Sequence, residues 1–188
     1  MYLTPKEIKA IKEVHLAGSQ DGMRDRFILG CVTGLRFSDY SRLSADHIQG
    51  HLISILTKKR NRSVVIPMHE YVTQIFEKWN YNLPPDLSLR QYNNVLPIIA
   101  QKSGIRDEVV VEKKINGKVE MQKVPKFELV KTHTPRRSFA TNAYQAGIPV
   151  RNIMLITGHK TEDSFFRYVQ TTGLENAQDL IDHPFFKL

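Results

Sequence analysis

The stretch His133-Thr134-Pro135-Arg136-Arg137-Ser138-Phe139-Ala140-Thr141 opens a helix and loads its first turn with basic groups. Thr134-Pro135 reads as a cap followed by the first helical residue, where the N–H that proline lacks is not needed. Phe139, Ala140, Ala143 and Tyr144 then carry an apolar series to Gly147. His133 and Arg136 lie three residues apart across the helix start, so both side chains can face one locus beside unpaired backbone amides. Such a locus suits an anion. Taken alone, the pair is equally well read as a satisfied histidine near a surface arginine.

Downstream, Pro149 starts a short helix carrying Val150, Ile153, Met154 and Ile156 up to Gly158. Thr161 opens a final helix with Glu162 and Asp163 in its first turn and Phe165, Phe166 and Tyr168 along it. Tyr168 is nine residues after His159, a spacing that puts two side chains on opposite faces of one unbroken helix, so His159 is expected in the loop before it. By itself Tyr168 reads as one more core aromatic among 7 tyrosines.

Upstream, Thr4-Pro5-Lys6-Glu7 is a capping box, and Ile8, Ile11 and Val14 predict a helix over about residues 5 to 17. Asp21 caps a second helix striped with Met23, Phe27, Ile28, Cys31 and Val32, which delivers Thr33-Gly34-Leu35-Arg36 into a turn. A helical piece from Phe37 to Leu43 follows. Residues 51–57 and 63–67 are rich in β-branched side chains and predict a hairpin whose tip holds Lys58, Lys59, Arg60 and Arg62. Helices are expected over residues 69–79 and 88–102, the second bent or divided at Pro97. Residues 109–124 predict a second hairpin around Asn116-Gly117. The fold class is therefore mainly α with two small β-hairpins, and no repeat or linker interrupts it.

The chain has 188 residues, enough for one ordinary domain with a real core. Lys and Arg number 27 against 19 Asp and Glu, a net charge of +8 that points to a polyanionic partner. No apolar run approaches the roughly 20 residues of a membrane span, and no secretion signal opens the sequence. One cysteine, Cys31, leaves no internal disulfide and no thiolate metal cluster, which fits a reducing cytoplasm. No paired carboxylates or His/Asp set suggest a metal, and no cofactor is expected.

In order along the chain stand Thr33-Gly34-Leu35-Arg36-Phe37-Ser38-Asp39, Lys59 eight residues before Pro67, His133-Thr134-Pro135-Arg136, Gly158-His159 and Tyr168. This series resembles the tyrosine recombinase, or phage integrase, family, whose signature is Arg, Lys, His-x-x-Arg, His or Trp, and Tyr. The resemblance covers roughly residues 1 to 175, with Pro135 and Arg137 where the family usually has leucine and histidine. The β-rich insert before the second box resembles the branch carried by conjugative and mobilizable transposons.

The resemblance implies one catalytic domain over residues 1–188 with a tail from about residue 176, and it implies that the family's N-terminal core-binding domain is missing from this sequence. It also implies site-specific recombination or integration of double-stranded DNA. Tyr168 would be the nucleophile, Arg36 and Arg136 would grip the scissile phosphate with His159, Lys59 would protonate the leaving oxygen, and His133 would handle the tyrosine proton. Asp39 would orient its neighbours, and Lys58, Arg60, Arg62, Lys131, Arg137 and Lys160 would contact DNA. Lys58 and Lys59 are adjacent, and the spacing to Pro67 favours Lys59. Expected partners are DNA and other recombinase protomers, toward which the apolar tail could be exchanged, and no membrane. The rival readings are a type IB topoisomerase, which shares the chemistry, and a DNA-binding module without catalysis.

Overall fold

The computed structural model describes residues 1–84, 88–115, 118–169, 177, 180–182 and 184–187. Helix α1, Pro5–Glu13, starts on the predicted capping box: the Thr4 hydroxyl accepts from the Glu7 amide at 3.3 Å, and the Glu7 carboxylate accepts from the Thr4 amide at 2.7 Å. It ends four residues short of the expected boundary. The Arg24 guanidinium explains the stop, because it donates to the carbonyls of Ile11, Lys12 and Val14 and satisfies the C-terminal acceptors that another turn would have paired.

Helix α2, Ser19–Thr33, runs through the middle of the molecule against α1 and the helices described below, and it is buried along most of its length. Its cap is Gly18 rather than Asp21, whose carboxylate instead pairs with Arg24 and with Lys78. Buried Asp25 accepts from Arg24 Nε at 2.6 Å, Lys78 Nζ at 2.7 Å and Trp79 Nε1 at 2.7 Å, so its charge on this buried helix is neutralised in place. The helix closes at Gly34 with φ 65°, and a Cβ there would lie 2.3 Å from the Phe139 ring. Glycine is required twice over, once for the backbone and once for the close approach of the Phe139 ring.

Helix α3 is a single turn, Phe37–Tyr40, shorter than the expected run to Leu43. A three-stranded antiparallel sheet follows, β1 (Ile48–Gln49), β2 (Leu52–Leu56) and β3 (Ser63–Pro67). Ile53 pairs with Ile66 and Ile55 with Val64, and this face is buried while Leu52, Leu56 and Val65 stay exposed. Strand β1 is too short to leave a periodic signal. Helix α4 is Glu70–Lys78 and α5 is Leu89–Lys102.

Helix α5 runs through Pro97 without being divided there. Proline has no N–H for the carbonyl four residues back, and that carbonyl, Asn93 O, is taken by Lys131 Nζ at 3.0 Å. Strands β4 (Glu108–Ile115) and β5 (Lys118–Pro125) pair in register from Glu108↔Pro125 to Ile115↔Lys118. Asn116 and Gly117 lie outside the described residues.

Helix α6, Thr134–Gln145, begins one residue earlier than expected, with His133 at the cap and Pro135 second. Thr134 is not the cap because its hydroxyl accepts from the Lys131 amide at 2.9 Å, tying it to the preceding turn. Helix α7 is Val150–Thr157, closed by Gly158 at φ 69°, and α8 is Glu162–Phe166. Tyr168 therefore stands just beyond α8 rather than on it, where the Tyr168 amide donates to Phe165 O at 2.7 Å. Fully buried Phe165 anchors this last turn. Two cores result: a large one around α2, and a smaller one of Ala140, Ala143, Ile153 and Phe165 against which Tyr168 packs.

Candidate active site

Arg136 projects from the first turn of α6 and is 2% exposed. Its Nη1 donates to Gly34 O at 2.8 Å and its Nη2 donates to Thr157 O, so one side chain fastens the ends of α2 and α7 together. Its Nε is buried with no hydrogen-bond partner among the described residues, as are Arg137 Nε and Asp39 Oδ2. Buried donors and acceptors without partners are rare except where a ligand or water completes them. Burial, with the charge of Arg36 next, pushes the Arg136 guanidinium down to about 10, which still leaves it cationic at neutral pH.

Arg36 caps α3 and is half-buried, with Nη1 4.0 Å from the position a Cβ on Gly158 would take. Neither Arg36 nor Lys59 has a side-chain hydrogen bond or ion pair among the described residues. Arg36 and Arg136 line a water-sized crevice of about 10 Å³ together with Asp39, Thr57, Arg60 and Gly158. Two cations so close repel unless an anion lies between them.

His159 follows Gly158 in the loop before α8, as expected. Its ring stands 4.6 Å from the Tyr168 ring, centroid to centroid, and the guanidiniums of Arg136 and Arg137 sit 5.9 and 5.8 Å from that same ring. The Thr157 hydroxyl donates to Ile153 O at 2.8 Å, and its oxygen lies 2.8 Å from His159 Nδ1. A hydroxyl has one proton, so Nδ1 supplies the hydrogen of the second bond, and Nε2 of the neutral ring keeps its lone pair. Burial, then Arg136, Arg36 and Arg60, lowers His159 to about 4. His133 is lowered as well, by burial and then by Arg137, Arg136, Arg36 and Lys59. Both imidazoles are therefore neutral near pH 7.

Of the two adjacent lysines, Lys59 is the one whose charge reaches His133. Lys58 is exposed, and its backbone amide donates to Asp39 Oδ1 at 2.8 Å. Asp39 is fully buried and also accepts from Arg42 Nη2 at 3.3 Å. Arg62 and Lys160 line an open cleft beside His159 with Arg151, which the sequence did not single out. Lys131 is exposed but spends its ammonium on Asn93 O, and Arg60 donates to Gly158 O. Charge effects thus link His133 to Arg36, Lys59, Arg136 and Arg137, and ring contacts join Arg136, His159 and Tyr168, while Lys131 and Arg60, though exposed, have their cationic groups bonded to backbone carbonyls. Thr157, which sets the His159 tautomer, carried no signal beyond its place before a capping glycine.

The profile of the phage integrase family matches residues 1–174. The tyrosine recombinase XerC of Pelotomaculum thermopropionicum is 26% identical over 181 residues, which cover 92% of this chain and 58% of that protein. The crystal structure of the XerA recombinase superposes with a TM-score of 0.71 at 17% identity, covering 98% of this chain and 65% of that one. The integrase of the Tn1549 transposon (residues 82–397), solved in complex with circular intermediate DNA, gives 0.62 at 16% identity, covering 97% and 65%. The chain spans less than two thirds of each of these relatives, and the likeness to the solved structures establishes the tyrosine recombinase catalytic-domain fold. With the matched profile running almost end to end, the chain belongs to the phage integrase family.

Proposed function

We propose that this chain is the catalytic domain of a site-specific recombinase that cuts and rejoins double-stranded DNA through a 3′-phosphotyrosine on Tyr168. One observation carries the reading: the Tyr168 ring lies against neutral His159 and beside Arg136, both of which feel the charge of Arg36, a guanidinium with no side-chain partner among the described residues. The phenol oxygen attacks the scissile phosphorus and gives its proton to His133, whose lowered basicity leaves it neutral and able to accept. The P–O5′ bond breaks, its electron pair goes to O5′, and Lys59 protonates that oxygen. Arg36 and the free Nε of Arg136 stabilise the charge that builds on the nonbridging oxygens. Rejoining is the reverse, with a 5′-hydroxyl attacking the phosphotyrosine, so the bond energy is conserved and no step needs a metal or ATP.

The substrate is duplex DNA and the partners are further protomers on it, in the bacterial cytoplasm. Among the described residues no helix is long and apolar enough to cross a membrane. Ile181, Phe185 and Phe186 near the C-terminus are 69, 68 and 61% exposed, which supports a tail that docks on a neighbouring protomer. Asp179, where truncation would remove it, lies outside the described residues.

The test is trapping on a pool of nicked duplexes with a randomised core, in which the cleaved strand cannot be rejoined. Wild type is expected to give an adduct that survives denaturing electrophoresis, and Tyr168→Phe none, with DNA affinity nearly unchanged. Equal trapping by both proteins contradicts the assignment.

A further inference from the structure

The tip of the β2–β3 hairpin is held at both sides of Lys59. On one side the Lys58 amide donates to buried Asp39 Oδ1 at 2.8 Å, and the strand end is fixed by Arg42, which donates to Leu56 O. On the other side the Arg60 guanidinium donates to Gly158 O, 98 residues away in sequence. Within the tip, the Asn61 amide donates to Thr57 O at 2.9 Å, and Asn61 takes φ 46°. Of the side chains at the tip, that of Arg60 makes a hydrogen bond, while those of Lys58, Lys59, Asn61 and Arg62 make no hydrogen bond or ion pair among the described residues. The backbone on both sides of Lys59 is tethered and its ammonium is not.

We propose that Arg60 is a positioning residue that docks the hairpin tip onto the turn before His159 and so sets where the Lys59 ammonium stands. Gly158 O is a suitable anchor because it immediately precedes His159, whose ring Arg60 also reaches electrostatically. One contact thereby ties the residue that protonates the leaving oxygen to the loop that faces the nucleophile. This differs from a contact to DNA, because the guanidinium works through the protein's own carbonyl. The inference rests on the role of Lys59 given above.

The experiment compares wild type, Arg60→Ala, Arg60→Lys and Lys59→Ala on the duplex that wild type cleaves most from the randomised pool. Two versions are made, one ordinary and one with sulfur replacing the bridging 5′ oxygen. A thiolate leaves without needing a proton, so a defect in leaving-group protonation disappears on the sulfur substrate. Arg60→Ala is expected to cleave the ordinary duplex roughly 10- to 100-fold more slowly, the loss that a misplaced group causes. On the sulfur duplex it should match wild type, as should Lys59→Ala, and Arg60→Lys should recover most of the ordinary rate. DNA affinity should change little. The same loss on both duplexes, or a matching loss of affinity, overturns the proposal.

The tether is also read without DNA, by amide hydrogen exchange at Lys58 and Asn61. Both amides should exchange faster in Arg60→Ala while the β2–β3 ladder keeps its protection. Unchanged exchange at the tip overturns the tether whatever the chain does with DNA. Wild type that cleaves neither duplex would instead sink the enzymatic reading.

Discussion

Arg136 and Arg36 do different work although both face the crevice. Arg136 is buried and satisfies Gly34 O and Thr157 O, so Arg136→Ala leaves two inner carbonyls unpaired at about 1–3 kcal/mol each as well as removing a charge from the site. Arg36→Ala breaks no side-chain hydrogen bond among the described residues. Its cost should fall on the reaction alone, roughly 10²- to 10³-fold in cleavage rate, the loss seen when a transition-state donor is removed. Thermal melting of the two variants beside their cleavage rates checks the contrast. An Arg36 variant that melts as low as the Arg136 variant, or cleaves within tenfold of wild type, would contradict it.

The histidines make a pH statement. Folding lowers both, His159 from 6.5 to about 4, so below pH 6.5 the unfolded chain takes up protons that the folded chain refuses. Their contribution to stability is present in full above that pH and is lost as pH falls toward 4. The DNA-free protein should melt lower across this window, and His159→Gln should flatten the dependence. Because Nε2 of neutral His159 has no hydrogen to donate, gripping a phosphate requires a proton. DNA binding should therefore take up close to one proton near pH 6, seen by calorimetry in buffers of different ionisation enthalpy, and His159→Gln should abolish it. No uptake would mean that the ring stays neutral on DNA and would contradict its protonation by the phosphate.

At the scale of elements, the sequence told where helices begin better than where they end. Thr4-Pro5 and Pro149 act locally, and their helices start where expected. The end of α1 depends on Arg24, and the continuity of α5 through Pro97 depends on Lys131, both long-range contacts with no local signature. The second case gives a double-mutant cycle. Lys131→Met should cost about 0.5–1 kcal/mol with Pro97 present, since the ammonium is exposed, and nearly nothing in Pro97→Ala, where the alanine N–H takes Asn93 O. Additive losses in urea melts would show that Lys131 does not serve that carbonyl. Tyr168 lying past α8 was unreadable for a similar reason, because the stop is set by Phe165 burying itself in the second core.

Across the whole molecule, the order of the reacting residues was legible because chemistry fixes their type, while their supports were not. Asp39 under Lys58 and Arg60 on Gly158 join segments 19 and 98 residues apart, and Thr157 under His159 is a local pair without a repeat, so periodicity carries no trace of any of them. The same internal bonds decide which cations remain for DNA. Arg62, Lys160 and Arg151 edge an open cleft, whereas Lys131 is engaged. Replacing each of the first three by alanine should reduce the salt dependence of DNA binding by about one phosphate's worth, and replacing Lys131 should leave it unchanged.

The central claim is that Tyr168 becomes covalently joined to a DNA 3′ phosphate. The most direct measurement is mass spectrometry of the trapped adduct after nuclease and protease digestion. The account predicts a nucleotide carried through its 3′ phosphate on the peptide containing Tyr168, and no other modified residue. A nucleotide found on another side chain, or cleavage that leaves every peptide unmodified, would contradict it.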